Sequence, residues 1–126
     1  MEKKVFISYS DKDTTYANLL SRALKKKGVE VFSLHDSILA GMEWDNVLRK
    51  ELLESSAVVA LISDNWVRSN WAATEYGAAR ALGKKIIPVV IDDFQNNGFI
   101  DISKFLAVDA KNEDLESVVH QVEEAI

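Results

Sequence analysis

Four short apolar runs punctuate the chain: Lys4–Tyr9 (KVFISY), Glu30–Leu34 (EVFSL), Ala57–Ile62 (AVVALI) and Lys85–Ile91 (KIIPVVI). They are rich in Val and Ile and alternate little, which predicts parallel strands covered on both faces. A weaker fifth strand is expected at Lys104–Val108 (KFLAV). Helical spacing falls between the runs. Asp13–Lys27 places Tyr16, Leu19, Leu20, Ala23 and Leu24 on one face, with Ser10 and Asp11 ahead of it as caps. Glu43–Leu53 turns Val47, Leu48, Leu52 and Leu53 inward, Asn70–Leu82 forms a third helix, and Glu113–Ala125 buries Leu115, Val118, Val119 and Val122.

This βα succession predicts an α/β fold, a three-layer sandwich with a five-stranded parallel sheet and right-handed crossovers. The flavodoxin-like order 2-1-3-4-5 is the commonest solution at this size. Ligands then bind beyond the carboxyl ends of the strands. That edge is built by the loops after Tyr9, Leu34 and Ile62.

One residue breaks the pattern at that edge. Glu75 has Trp71, Ala72, Ala78 and Ala79 as its neighbours three and four positions away, none of them basic or polar. Such a carboxylate reaches the open end of the fold, is partly desolvated with a raised pKa, or finds a cationic partner elsewhere. Trp66 and Trp71 beside it offer a stacking wall for a flat ring, although tryptophan more often packs in a core or at its edge. The first loop, Tyr9 to Asp13, is polar but has no glycine, so it is no phosphate loop. The second loop, from His35 to Trp44, shows Ile38, Leu39 and Met42, three apolar side chains suited to a contact surface, with Gly41 supplying a turn.

Composition narrows the choices. The 126 residues suit one domain, with 48% apolar and 28% charged residues. A net charge of −5 argues against a general nucleic-acid or anionic-membrane binder. Lys25, Lys26 and Lys27 precede Gly28 and read as a helix stop. The absence of cysteine excludes disulfides, thiol nucleophiles and Cys-ligated zinc, and His35 and His120 lack ligand spacing, so no metal site is expected. No run is long enough to span a membrane and the N-terminus is no signal peptide, so the default location is cytoplasmic.

Taken together, Val5 to Ser10, Gly28 to Phe32, Asp36 to Trp44, and the pattern of Ser63, Ser69, Trp71 and Glu75 resemble a Toll/interleukin receptor (TIR) domain of bacterial type over essentially the whole chain, residues 1–126. The resemblance implies one of two kinds of work. Many members are adaptors that act through TIR–TIR contact, and others cleave NAD at the nicotinamide–ribose bond. The cleaving members carry a glutamate on the third helix, matched here by Glu75 within a Trp71–Glu75 WxxxE motif.

The expectation from that match is an NAD+ nucleosidase (a glycohydrolase or ADP-ribosyl cyclase) serving bacterial antiphage defence or signalling. Glu75 is the expected catalytic group, with Tyr9, Ser10, Trp44 and Trp71 binding substrate. NAD+ enters as substrate, with no permanently bound cofactor. Asp36, Ile38, Leu39, Gly41 and Met42 form the expected assembly loop, other TIR domains are the expected partners, and the domain is expected at the N-terminus of a longer protein. The alternative is a non-enzymatic TIR scaffold. Three features depart from the family pattern: His35-Asp36 and Ala40-Gly41 replace the adaptor loop's Arg-Asp and Pro-Gly, Ser10 and Asp11 stand where some NAD-cleaving members are basic, and Leu34 where many members are acidic. A response-regulator receiver shares the fold but needs an acidic pair after the first strand and a phosphoacceptor Asp ending the third, where Tyr9-Ser10 and Ile62-Ser63 stand.

Overall fold

The computed structural model describes residues 3–34, 40–95 and 105–126. Strands β1 (Lys3–Ser8), β2 (Val29–Phe32), β3 (Ala57–Ile62), β4 (Ile86–Val90) and β5 (Val108–Asp109) form one parallel sheet in the order β2-β1-β3-β4-β5. The helices are α1 (Thr14–Lys26), α2 (Trp44–Glu54), a short α3 (Asp64–Val67), α4 (Asn70–Ala81) and α5 (Leu115–Ala125). The predicted fold class and strand order are those observed.

The two-residue period of the strands divides the core. Val5, Ile7, Val59, Leu61 and Val89 pack with Leu20 and Leu24 of α1 and with Val118 and Val122 of α5. Phe6, Val58, Ala60 and Ile62 face the other way, onto Leu48 and Leu52 of α2, Trp66 of α3 and Ala72 and Ala79 of α4. Pro88 fits inside β4 for a related reason. Ile91 N–H bonds to Ile62 on β3, whereas the Val90 carbonyl faces β5 and accepts from Ala110. Pro88 shares the orientation of Val90, and β5 pairs only from Val89 onward, so the missing N–H falls where β5 has not begun.

Several expectations are corrected. Leu19 and Leu53 are 46% and 51% exposed rather than inward. The buried stripe of α1 is Ala17, Leu20 and Leu24, and that of α2 is Leu48 and Leu52. Each exposed leucine sits one residue, about 100°, from a buried neighbour, which carries it off the apolar stripe. The fifth strand holds Val108 and Asp109 only: Phe105 to Ala107 are not strand, Leu106 is 99% exposed, and Lys104 lies outside the described residues. The third loop contains α3, started by Ser63, whose side chain accepts from Trp66 N–H. The lysine run does end α1, with Gly28 at φ +84° accommodating the reversal.

Among the described residues no helix is long and apolar enough to cross a membrane. The stripe makes a measurable distinction. Leu24→Ala is expected to cost about 2–5 kcal/mol in urea unfolding, and Leu19→Ala less than about 1 kcal/mol.

Candidate active site

The carboxyl edge of the sheet is organised by serines. Ser10 ends the first strand's extension and accepts from Lys12 N–H, which opens a 3-10 turn at Asp11–Asp13. Asp13 precedes α1 without capping it. Its carboxylate accepts instead from Ser63 Oγ at 2.6 Å and Asn65 Nδ2 at 3.3 Å, tying the first loop to the third. Ser69 caps α4 by accepting from Ala72 N–H at 3.1 Å. Between these loops opens a cleft of about 640 Å³, walled in part by Ser10, Lys12, Leu34, Asn65, Arg68 and Trp71. Arg68 at its rim pairs with Asp64 at 3.0 Å.

Glu75 lies on the buried stripe of α4, between Ala72 and Ala79. Those small side chains let the helix settle close to the sheet, and the carboxylate goes in with them. It is 1% exposed and takes no part in the cleft wall, although Trp71, one turn earlier on α4, does. Its Oε1 accepts from Ser8 Oγ at 2.9 Å, and its Oε2 has no hydrogen-bond partner among the described residues. Burial pushes its pKa up to about 8. The Ser8 hydrogen bond opposes that rise and the negative charge of Asp11 adds to it. Of the three environments expected for this carboxylate, desolvation is the one realised.

The other predicted residues scatter. Ser10, 8% exposed, and Trp71 line the cleft. Trp44 opens α2 at 41% exposure and packs against Trp71 with ring centroids 5.0 Å apart and planes tilted by 58°. Tyr9 is 4% exposed and belongs to the core on the α1–α5 face, opposite to the face that carries Glu75. Trp66 forms no stacking wall. It is fully buried, edge-on to Tyr76 at 6.1 Å, and donates its indole N–H to Ser8 Oγ at 3.1 Å. Of the assembly loop, Gly41 has φ +87° and Met42 is 42% exposed, whereas Asp36, Ile38 and Leu39 lie outside the described residues, as does His35. Among the described residues no three His, Asp or Glu side chains are grouped to hold a metal ion.

Ser8 as the partner of Glu75 escaped the sequence reading, and Trp66 entered it as a stacking wall or core residue rather than as the donor behind Ser8. A faint signal exists. Ser8 is a polar residue inside the apolar run VFISY, two positions from Phe6 and hence on the same face of β1.

A TIR domain family model matches residues 5–122. The chain belongs to the TIR domain family. Its likeness to solved TIR structures lies in the fold. With the TIR domain of the Toll-related receptor TRR-2 from Hydra magnipapillata it shares a TM-score of 0.80 at 17% identity, over 95% of this chain and 94% of that one. With the TIR domains of the activated Roq1 resistosome the TM-score is 0.60 at 24% identity, over 98% of this chain and 72% of the other. A curated relative from Cytobacillus dafuensis, named a putative cyclic ADP-D-ribose synthase TIR2, is 28% identical over 116 residues. That match takes in 86% of this TIR domain, which spans 30% of the relative's length.

The raised pKa of Glu75 has a consequence for stability. Protons bind more tightly to the folded form, so the stabilisation is complete below the ordinary value of 4.5 and is lost as pH rises through about 8. Unfolding free energy is expected to fall by on the order of 1 kcal/mol per pH unit across that window. Glu75→Gln, which cannot titrate, is expected to flatten this slope, as read by urea melts at a series of pH values.

Proposed function

We propose that this TIR domain is an NAD+ nucleosidase that breaks the nicotinamide–ribose bond, with Glu75 as the catalytic group. The observation that carries the reading is a carboxylate buried at the carboxyl edge of the sheet, next to a cleft, with one oxygen unpartnered among the described residues. The name of the Cytobacillus relative points the same way, toward an NAD-derived cyclic product.

The chemistry suits one carboxylate. The nicotinamide of NAD+ is cationic and leaves as a neutral base, taking the electron pair of the C–N bond, so no general acid is needed. The cost lies in the oxocarbenium-like ribose left behind, and an ionised Glu75 next to that sugar offsets its charge. Water attacking the anomeric carbon yields ADP-ribose and a proton, whereas a nucleophile elsewhere in the same molecule yields a cyclic product. Trp71 lines the cleft with Trp44 packed against it, and Ser10 lines the same cleft. Tyr9 serves by packing the end of β1 rather than by touching substrate.

Self-assembly belongs to the proposal because Glu75 is closed off from the cleft in the single domain. TIR–TIR contact through the loop holding Gly41 and Met42 would select a state in which the carboxylate meets substrate. The TIR domains of the Roq1 resistosome, captured in an activated assembly, are a precedent in the family. We extend the proposal to a role in bacterial defence or signalling, supported by the bacterial source of the Cytobacillus relative.

The same closure is the one observation that favours a non-enzymatic TIR scaffold, and a single experiment separates the two. Nicotinamide release is measured at rising protein concentration, with products resolved by chromatography. The nucleosidase reading expects turnover that climbs more steeply than concentration and falls at least about 100-fold in Glu75→Gln. Equal turnover in Glu75→Gln overturns Glu75 as the catalytic group, whereas no turnover in assembled wild-type protein supports the scaffold. The pH dependence adds a second check: kcat/KM is expected to rise through an apparent pKa of about 8, that of the free carboxyl. The kcat limb should lie lower, because a bound cation favours the ionised form.

A further inference from the structure

Ser8 is the last residue of β1, 1% exposed and on the face of the sheet that meets α4. Its hydroxyl stands between two groups with fixed roles. The indole of Trp66 has a donor and no acceptor, so at 3.1 Å it can only give its hydrogen to Ser8 Oγ. When Glu75 is ionised and can only accept, the single hydroxyl proton is left to point at its Oε1, 2.9 Å away. A serine alone rotates freely, whereas this one is oriented by its neighbour.

Trp66 is itself held. It is fully buried, its backbone N–H donates to Ser63 Oγ at 3.0 Å, and Ser63 Oγ donates to Asp13 at 2.6 Å. The line from Asp13 through Ser63, Trp66 and Ser8 therefore ends on one oxygen of one carboxylate. The other oxygen, Oε2, has no partner among the described residues.

Resting on the nucleosidase reading, we propose that Ser8, its hydroxyl oriented by the Trp66 indole, is the positioning residue of the site: it holds Oε1 of Glu75 and leaves Oε2 as the oxygen presented to substrate. A hydrogen bond donated to a carboxylate favours its charged form, so Ser8 also keeps the ionised state within reach against burial and the charge of Asp11. Asp11 is the charged side chain that acts on this carboxyl among the described residues.

The test is a carbon-13 NMR titration of the Glu75 carboxyl in the 126-residue chain, its resonance assigned by its loss in Glu75→Gln. Ser8→Ala is expected to raise the titration midpoint by about one pH unit, a tenfold drop in the ionised fraction on the acid side. Ser8→Thr, which keeps the hydroxyl, is expected to restore the wild-type midpoint. Trp66→Phe, which removes only the orienting donor from this line, is expected to shift it upward by less, and it decides the matter should Ser8→Ala fail to fold. A midpoint in folded Ser8→Ala or Trp66→Phe that matches wild type overturns the proposal, as does Ser8→Thr behaving like Ser8→Ala. Nicotinamide release from the same samples is read separately. Absence of turnover in the wild type removes the nucleosidase reading and with it the substrate-facing role of Oε2, while the titration still judges whether Ser8 holds the carboxyl.

Discussion

A carboxylate pressed between a helix and a strand sets the terms for the rest of this site. Burying an ionised carboxyl without partners costs several kcal/mol, so the fold answers with a shifted pKa and one well-directed hydrogen bond. The requirements then spread outward. Helix α4 must lie close to the sheet, which the alanines on either side of Glu75 along the buried stripe permit. Its start must be placed, which the Ser69 cap does. Strand β1 must offer a hydroxyl rather than a methyl group at its last position, and α3 must exist to bring an indole to that hydroxyl.

Much of the fold was legible because buried parallel strands advertise themselves as continuous apolar runs, and the helices between them carry their own stripes. Errors arose where a pattern was ambiguous or too short. Leu19–Leu20 and Leu52–Leu53 are adjacent leucines, and hydrophobicity alone does not say which of each pair faces the core. Helix α3 has four residues, fewer than periodicity needs, and Trp66 within it looked like a surface aromatic when it is a core residue with its one polar atom satisfied. Strand β5 forms only two pairs with β4, so little of its sequence is constrained by the sheet.

The site was legible in part for a different reason. Glu75 stood out because nothing around it on its own helix explained a charge. Ser8 did not, because its significance depends on a partner 67 residues away and on the face to which β1 turns it. Tyr9, next to it, was expected to bind substrate on the strength of the family resemblance, yet the alternation of the strand sends it into the opposite layer. Adjacent residues on a strand point to opposite faces of the sheet, and here that separates the two more firmly than residue type does.

The tie made by Asp13 carries a mechanical consequence. By accepting from both Ser63 and Asn65, it joins the loop after β1 to the loop after β3, so one lip of the cleft is a single braced unit. Trp71 reaches the same cleft from α4, with Trp44 of α2 against it in a ring contact tilted by 58°. Ser10 and Asn65 therefore enter the cleft wall from two loops that behave as one frame, pinned by a single carboxylate that itself stays behind the wall.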